Sequence, residues 1–289
     1  MAGAVWENLG KSRSCVRLIL VLVFSGLLMF ISARFSNPRR AHLIPFVLSR
    51  PAIFPIVTAL FAAFLMVITI GAGAQERRVA LVIGNSSYSN VPQLPNPAND
   101  AQDLAITLRR IGFEVSEAID LDYRAMRIAV RDFSEQAENA DIALLYYAGH
   151  GIEIENTNYL IPVNAQLKRA ADVEFEALRL DAVLSSLAAP KGLKIVLIDA
   201  CRDNPFRVTM RQSGATRSVG RGLARIEPTG VVVGYAAKGG TYALDGAARN
   251  SPYAEALMEH LETPGLELGK LFRKVRDSVY AVTGQQQEP

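Results

Sequence analysis

The sequence predicts a three-layer α/β domain on a mostly parallel sheet, preceded by one or two hydrophobic N-terminal segments. Three observations lead there. From Arg77 onward, short apolar runs rich in β-branched residues alternate with stretches of helical period, the pattern of strand–helix–strand units. Runs such as VALVIG and IALLYYA show no polar–apolar alternation, as expected of strands buried on both faces. Before Gln75 the character is different: residues 18–33 and 52–74 carry no charged side chain. The domain division that follows is 1–74, a membrane or signal region, and 75–289, the folded domain.

Within the leader, a basic, proline-containing connection with Arg34, Arg39, Arg40 and Arg50 separates the two apolar runs. A membrane hairpin with this connection in the cytoplasm satisfies the positive-inside tendency. A signal peptide starting near Arg39, with Ala72-Gly73-Ala74 as its cleavage site, satisfies the same residues, provided translation starts later than Met1. Either reading puts residues 75–289 on the extracytoplasmic, periplasmic side, anchored or exported.

The elements follow in order. Residues 79–84 read as the first strand. Residues 99–111 form a helix with Leu104, Leu108 and Ile111 on one face, capped by Asn99 or Asp100 and ended by Gly112. A strand at 113–119 precedes a helix at 122–138 with Met126, Val130 and Phe133 inward. The third strand covers 142–148, and 151–163 has the turn residues of a hairpin around 155–158. Residues 177–189 are helical, 193–198 and 231–236 are strands, and helices at 251–261 and 266–282 close the domain.

Charge excludes one function class. The chain holds 31 Lys and Arg against 28 Asp and Glu, but residues 1–74 have seven basic side chains and one acid. The folded domain is therefore net negative, and no nucleic-acid partner is expected. Two cysteines and three histidines are too few for a disulfide framework or a zinc cluster.

The chemistry is expected at the carboxyl ends of the strands. The third strand runs into Ala148-Gly149-His150-Gly151, and the fourth into Asp199-Ala200-Cys201-Arg202-Asp203. Cys201 is the one cysteine of the folded domain. If these strands pair, about 4.8 Å apart, His150 can take the thiol proton of Cys201 and return it to a leaving amine. The N–H groups of Gly151 and Cys201 can then hold an oxyanion. His260, on an amphipathic helix, reads as a surface residue, and Cys15 has no such partner.

RRVALVIGNSSY, LPNPANDAQDL, DIALLYYAGHG, IVLIDACRDNP and RNSPYAEAL, in that order, resemble the caspase-like cysteine peptidases, in particular bacterial metacaspase-type (orthocaspase) domains. The 51-residue step from His150 to Cys201 suits that family. The resemblance implies a three-layer caspase-like fold and a Cys201–His150 dyad. It also implies a primary specificity pocket lined by Asp100 and Asp199, which would take Arg or Lys before the cut bond and reject Asp. The competing reading has Asp100 capping its helix and Asp199 bonding a nearby backbone N–H. Protein or peptide substrates are implied and no cofactor is expected. Calcium dependence is a property of related enzymes for which the sequence offers no site.

Residues 207–225 carry five arginines and no acid, which reads either as a solvated loop or as a set of self-cleavage sites. Family members continue past the last helix, whereas this chain stops at Pro289, which predicts weaker packing at the sheet edge. The alternative to a peptidase is a membrane-tethered, non-catalytic caspase-like scaffold or regulatory module. A nucleotide-binding domain is disfavoured because Asn85-Ser86-Ser87-Tyr88 is no glycine-rich phosphate loop.

Overall fold

The structure is a computed structural model that describes residues 76–187, 191–201, 205–206, 210, 223, 229–238, 243 and 248–289, with Cys201 described through its backbone. The apolar runs at 18–33 and 52–74 lie outside these residues. Among the described residues no helix is long and apolar enough to cross a membrane.

The chain order is β1 (Arg78–Gly84), α1 (Pro97–Arg110), β2 (Glu114–Ile119), α2 (Tyr123–Glu138), β3 (Ile142–Ile154), β4 (Thr157–Leu160), a short α3 (Val173–Glu176), β5 (Leu178–Arg179), α4 (Leu180–Leu187), β6 (Leu193–Cys201), β7 (Val232–Tyr235), α5 (Pro252–Leu261) and α6 (Leu268–Val282). β1 pairs in parallel with β2 on one side and β3 on the other, β3 continues to β6, and β6 to β7. The chain therefore reverses its direction of growth between β1 and β3, and ligand sites of such sheets open at the carboxyl ends beside this switch.

Period-two alternation divides the central strands between two cores. Leu81 and Ile83 of β1, Leu145 and Tyr147 of β3, and Val196 and Ile198 of β6 pack against Met126 and Phe133 of α2 and Leu184 of α4. Their neighbours Ala80, Val82, Leu144, Tyr146, Ile195 and Leu197 face the other way, onto α1, α5 and α6. Each fully buried Leu, Ile or Val side chain contributes about 1.5–3 kcal/mol, so both faces are strongly committed to their layers.

Several boundaries differ from the sequence expectation. α1 starts at Pro97 after the N-cap Asn96, so neither Asn99 nor Asp100 caps it; Pro at the first position needs no hydrogen-bond partner for its nitrogen. β3 does not stop at Ala148. It runs on to Ile154, because from Gly151 onward it exchanges its parallel neighbour for the antiparallel β4. Glu155 (φ 51°) and Asn156 (φ 63°) form the two-residue hairpin turn, both in the left-handed region that a type I′ turn requires. The expected helix at 177–189 begins only at Leu180, since Leu178 and Arg179 pair with β4; residues 188–190 lie outside the described set. His260 is not a surface residue: it is 9% exposed and its Nε2 lies 2.8 Å from the Ser278 hydroxyl of α6. The chain end is packed rather than loose. Gln287 is fully buried and donates to the Ala236 carbonyl, while the Lys238 N–H donates to the Glu288 carbonyl.

Candidate active site

The β3–β6 register sets His150 directly opposite Cys201, with Gly149 opposite Ala200 and Ala148 opposite Asp199. The backbones of the two candidate dyad residues are thus neighbours on the last rung of a parallel ladder. The Cys201 side chain lies outside the description. The His150 N–H donates to the Tyr88 hydroxyl (2.8 Å), and its carbonyl accepts from the Ile161 N–H (3.1 Å) and the Tyr147 hydroxyl (2.8 Å). With both backbone groups of His150 engaged away from β6, those of Gly149 and Gly151 face Cys201 across the rung.

His150 is 5% exposed. Its Nε2 lies 3.0 Å from the Pro92 carbonyl oxygen. A carbonyl can only accept, so Nε2 carries the hydrogen, and in the neutral ring Nδ1 is the basic nitrogen. The ring packs against Tyr88, with centroids 4.4 Å apart and planes tilted by 53°. Tyr88 itself is placed by the turn after β1. Asp120, at φ 54°, accepts from the Ser86 and Ser87 N–H groups and from the Ser87 hydroxyl, and buried Asn85 donates to Ile161 and accepts from Leu121.

Gly149 is required by this arrangement. Its φ of +153° disfavours other residues, and an added Cβ would stand 2.6 Å from the Tyr88 hydroxyl and 2.8 Å from that of Tyr147. At Gly151 a Cβ would meet Ala200 at 3.0 Å and Leu223 at 3.2 Å. Phe206, Met210 and Leu223 are buried, and the five arginines of 207–225 lie outside the described residues.

Asp100 and Asp199 come together from α1 and β6, 1% and 8% exposed. Asp100 accepts the Ser251 N–H (2.9 Å) on Oδ1. Asp199 Oδ2 accepts the Ser251 hydroxyl (2.5 Å) and the Tyr146 hydroxyl (3.1 Å). Burial, and then the charge of Asp199, push the Asp100 pKa up to about 7, against the Ser251 N–H and Asn250, which favour the anion. Burial, and next to it the same carboxylate, raise the Tyr146 hydroxyl well above its ordinary value. Two acids held this close in a desolvated place favour a cationic guest.

Sequence reasoning missed Tyr88, Pro92, Tyr147, Tyr146 and Ser251. Two signals were available: a tyrosine in the turn after the first strand, beside the sheet's switch point, and a Ser-Pro pair opening a helix, the N-cap followed by N1.

The sequence pattern of the caspase domain family matches residues 77–289. Mucosa-associated lymphoid tissue lymphoma translocation protein 1 of Homo sapiens is 34% identical over 126 residues, 43% of this chain and 15% of that protein. Caspase b of Danio rerio is 29% identical over 133 residues, 45% of this chain and 32% of that protein. Cell death protein 3 of Caenorhabditis remanei is 28% identical over 139 residues, covering 46% and 25% respectively. The matched stretches span a third or less of these relatives' own lengths, so what is common is one domain. With that domain matched from Arg77 to the last residue, on a parallel sheet that sets a histidine opposite a cysteine, the chain belongs to the caspase domain family.

Proposed function

We propose that the protein is a cysteine endopeptidase that cuts after Arg or Lys, with Cys201 as nucleophile and His150 as general acid and base. The observation that carries this reading is the register of His150 opposite Cys201, with the imidazole tied through Nε2–H to the Pro92 carbonyl. Nδ1 takes the thiol proton, and the thiolate adds to the carbonyl carbon of the scissile peptide. The Gly151 and Cys201 N–H groups hold the oxyanion, which takes the place of the acceptor each has across the rung. Collapse expels the amine, which leaves with the proton from Nδ1. Water then attacks the thioester, giving one proton to Nδ1; that proton returns to the thiolate as the acid product departs.

Asp100 and Asp199 are the pocket for the cationic side chain before the cut bond, and the fit of two buried carboxylates to a guanidinium or ammonium supports that role. In this reading the enzyme works without a resident cofactor, and a calcium requirement is tested by chelation. The leader's apolar runs and Arg-rich connection support a membrane-anchored or exported protein, with residues 75–289 extracytoplasmic and without a nucleic-acid partner. The arginines of 207–225 are the sites for self-cleavage.

The deciding measurement is hydrolysis of Arg-, Lys- and Asp-ended fluorogenic peptides by the full chain, with and without Cys201→Ala and with calcium or chelator. Cleavage of the Arg and Lys peptides, lost in the variant, is expected. Cleavage of the Asp peptide alone would reject the pocket, and no cleavage of any peptide would leave the non-catalytic scaffold as the reading. Parallel gels of the two proteins test self-processing, and protease accessibility in intact cells tests the location.

A further inference from the structure

Four consecutive residues before α5 are stitched to the start of α1. The Ala248 carbonyl accepts from the Asn96 side chain (3.0 Å), and the Arg249 carbonyl accepts from that of Asn99 (3.2 Å). The Arg249 guanidinium forks onto Asp103 at 2.8 and 3.2 Å, and the Asn250 side chain donates to the same carboxylate at 3.1 Å. Ser251 follows, 4% exposed, and it reaches both pocket acids: its N–H donates to Asp100 and its hydroxyl to Asp199.

The hydroxyl also accepts the Ala254 N–H at 3.0 Å, as the N-cap of α5. Its single hydrogen is thereby aimed at Asp199 Oδ2. Asp100 belongs to α1 and Asp199 to β6, two separate elements that Ser251 bonds at once, and two buried carboxylates repel each other. Ser251 is the one described residue that hydrogen-bonds to both.

We propose that Ser251 is the positioning residue of the specificity pocket, holding Asp100 and Asp199 as one preorganised receptor for a guanidinium or ammonium group. The inference rests on the reading of those two acids as the pocket. The residue need not touch the guest; it fixes the spacing and planes of the groups that do.

The test is calorimetric titration of an Arg-ended tetrapeptide into full-length Cys201→Ala protein, which reads affinity without turnover. Adding Ser251→Ala should weaken binding about tenfold, the effect of losing one charge-assisted hydrogen bond. Ser251→Thr keeps the cap and the hydroxyl, so affinity should return to within about threefold of the parent. Asp122→Ala removes the matching cap of α2, where Asp122 accepts from Ala125 at 2.7 Å, and should lower the melting temperature without lowering affinity. Parent-like affinity in Ser251→Ala, or equal losses in Ser251→Ala and Asp122→Ala, overturns the proposal. Asp100→Asn separates the two levels. If it leaves binding intact, the pocket reading fails and this inference with it. If it weakens binding while Ser251→Ala does not, only the role of Ser251 is rejected.

Discussion

The Tyr88 hydroxyl accepts the amide hydrogen of His150 at 2.8 Å while its ring packs against the imidazole, so one side chain fixes both the backbone and the ring of the candidate base. Tyr88→Phe keeps the packing and removes the acceptor. A hydrogen bond of this kind is worth about 1 kcal/mol. The variant should therefore lose about five- to tenfold in kcat on an Arg-ended peptide, with KM nearly unchanged. A rise in KM alone would show that Tyr88 serves binding and not the base.

Gly149→Ala should fail for two reasons that act together. The left-handed φ strains any L side chain, and the new methyl collides with both tyrosine hydroxyls. A stability loss of about 2 kcal/mol or more, read from the denaturant midpoint, is expected together with loss of cleavage. Combining it with Tyr88→Phe removes one of the two collisions and should restore only part of the stability.

Asp100 gives the stability a pH dependence. Its pKa stands at about 7 in the fold, against 3.8 ordinarily. Between those values the unfolded chain releases this proton and the folded chain keeps it, so the contribution of Asp100 to stability falls as pH rises from about 4 to 7 and is level above. Asp100→Asn removes the titration. Its melting temperature relative to the parent should rise between pH 4.5 and 7.5, and a constant difference would contradict the shift. A bound cation favours the ionised acid, so KM for an Arg-ended peptide should drop as pH rises through about 7.

Lys194 separates stability from catalysis. It is fully buried near the amino end of β6, and its ammonium donates to the Ala137 carbonyl (2.6 Å) in the last turn of α2 and to the Ala140 carbonyl (3.2 Å) just after it. Lys194→Met retains length and apolar volume but leaves those carbonyls without the donor. A loss of about 1–3 kcal/mol in chemical denaturation is expected, with kcat and KM unchanged at temperatures where the variant is folded.

The layers were readable because each central strand obeys a local rule. VALVIG, IALLYYA and KIVLID are uniformly apolar, or nearly so, since both faces meet helices, and that pattern does not depend on what the chain does elsewhere. The positions of His150 and Cys201 followed from the same rule, being the ends of two such runs. The contact of Ser251 with both acids did not. Ser251 meets Asp100 across 151 residues and Asp199 across 52, and no local pattern encodes such a meeting. His260 failed similarly: its helix is amphipathic, but Ser278 of the following helix covers it. The length of β3 was misjudged because the glycines around His150 look like a strand end, whereas they serve the close approach of two tyrosines and of Ala200.

The order of these residues along the chain has a consequence for a nicked molecule. A single backbone break between Cys201 and Val232 would leave His150, Cys201, Asp100 and Asp199 on the leading fragment and Ser251 on the trailing one. The candidate dyad would stay covalently whole, while the clasp over the two acids became an intermolecular bond, retained only as long as β7 stays zipped to β6 and α5 stays stitched to α1. Substrate preference in the cut protein would then depend on the fragments remaining together, and dilution or mild denaturant would blunt selectivity before it unfolded the piece that carries the cysteine.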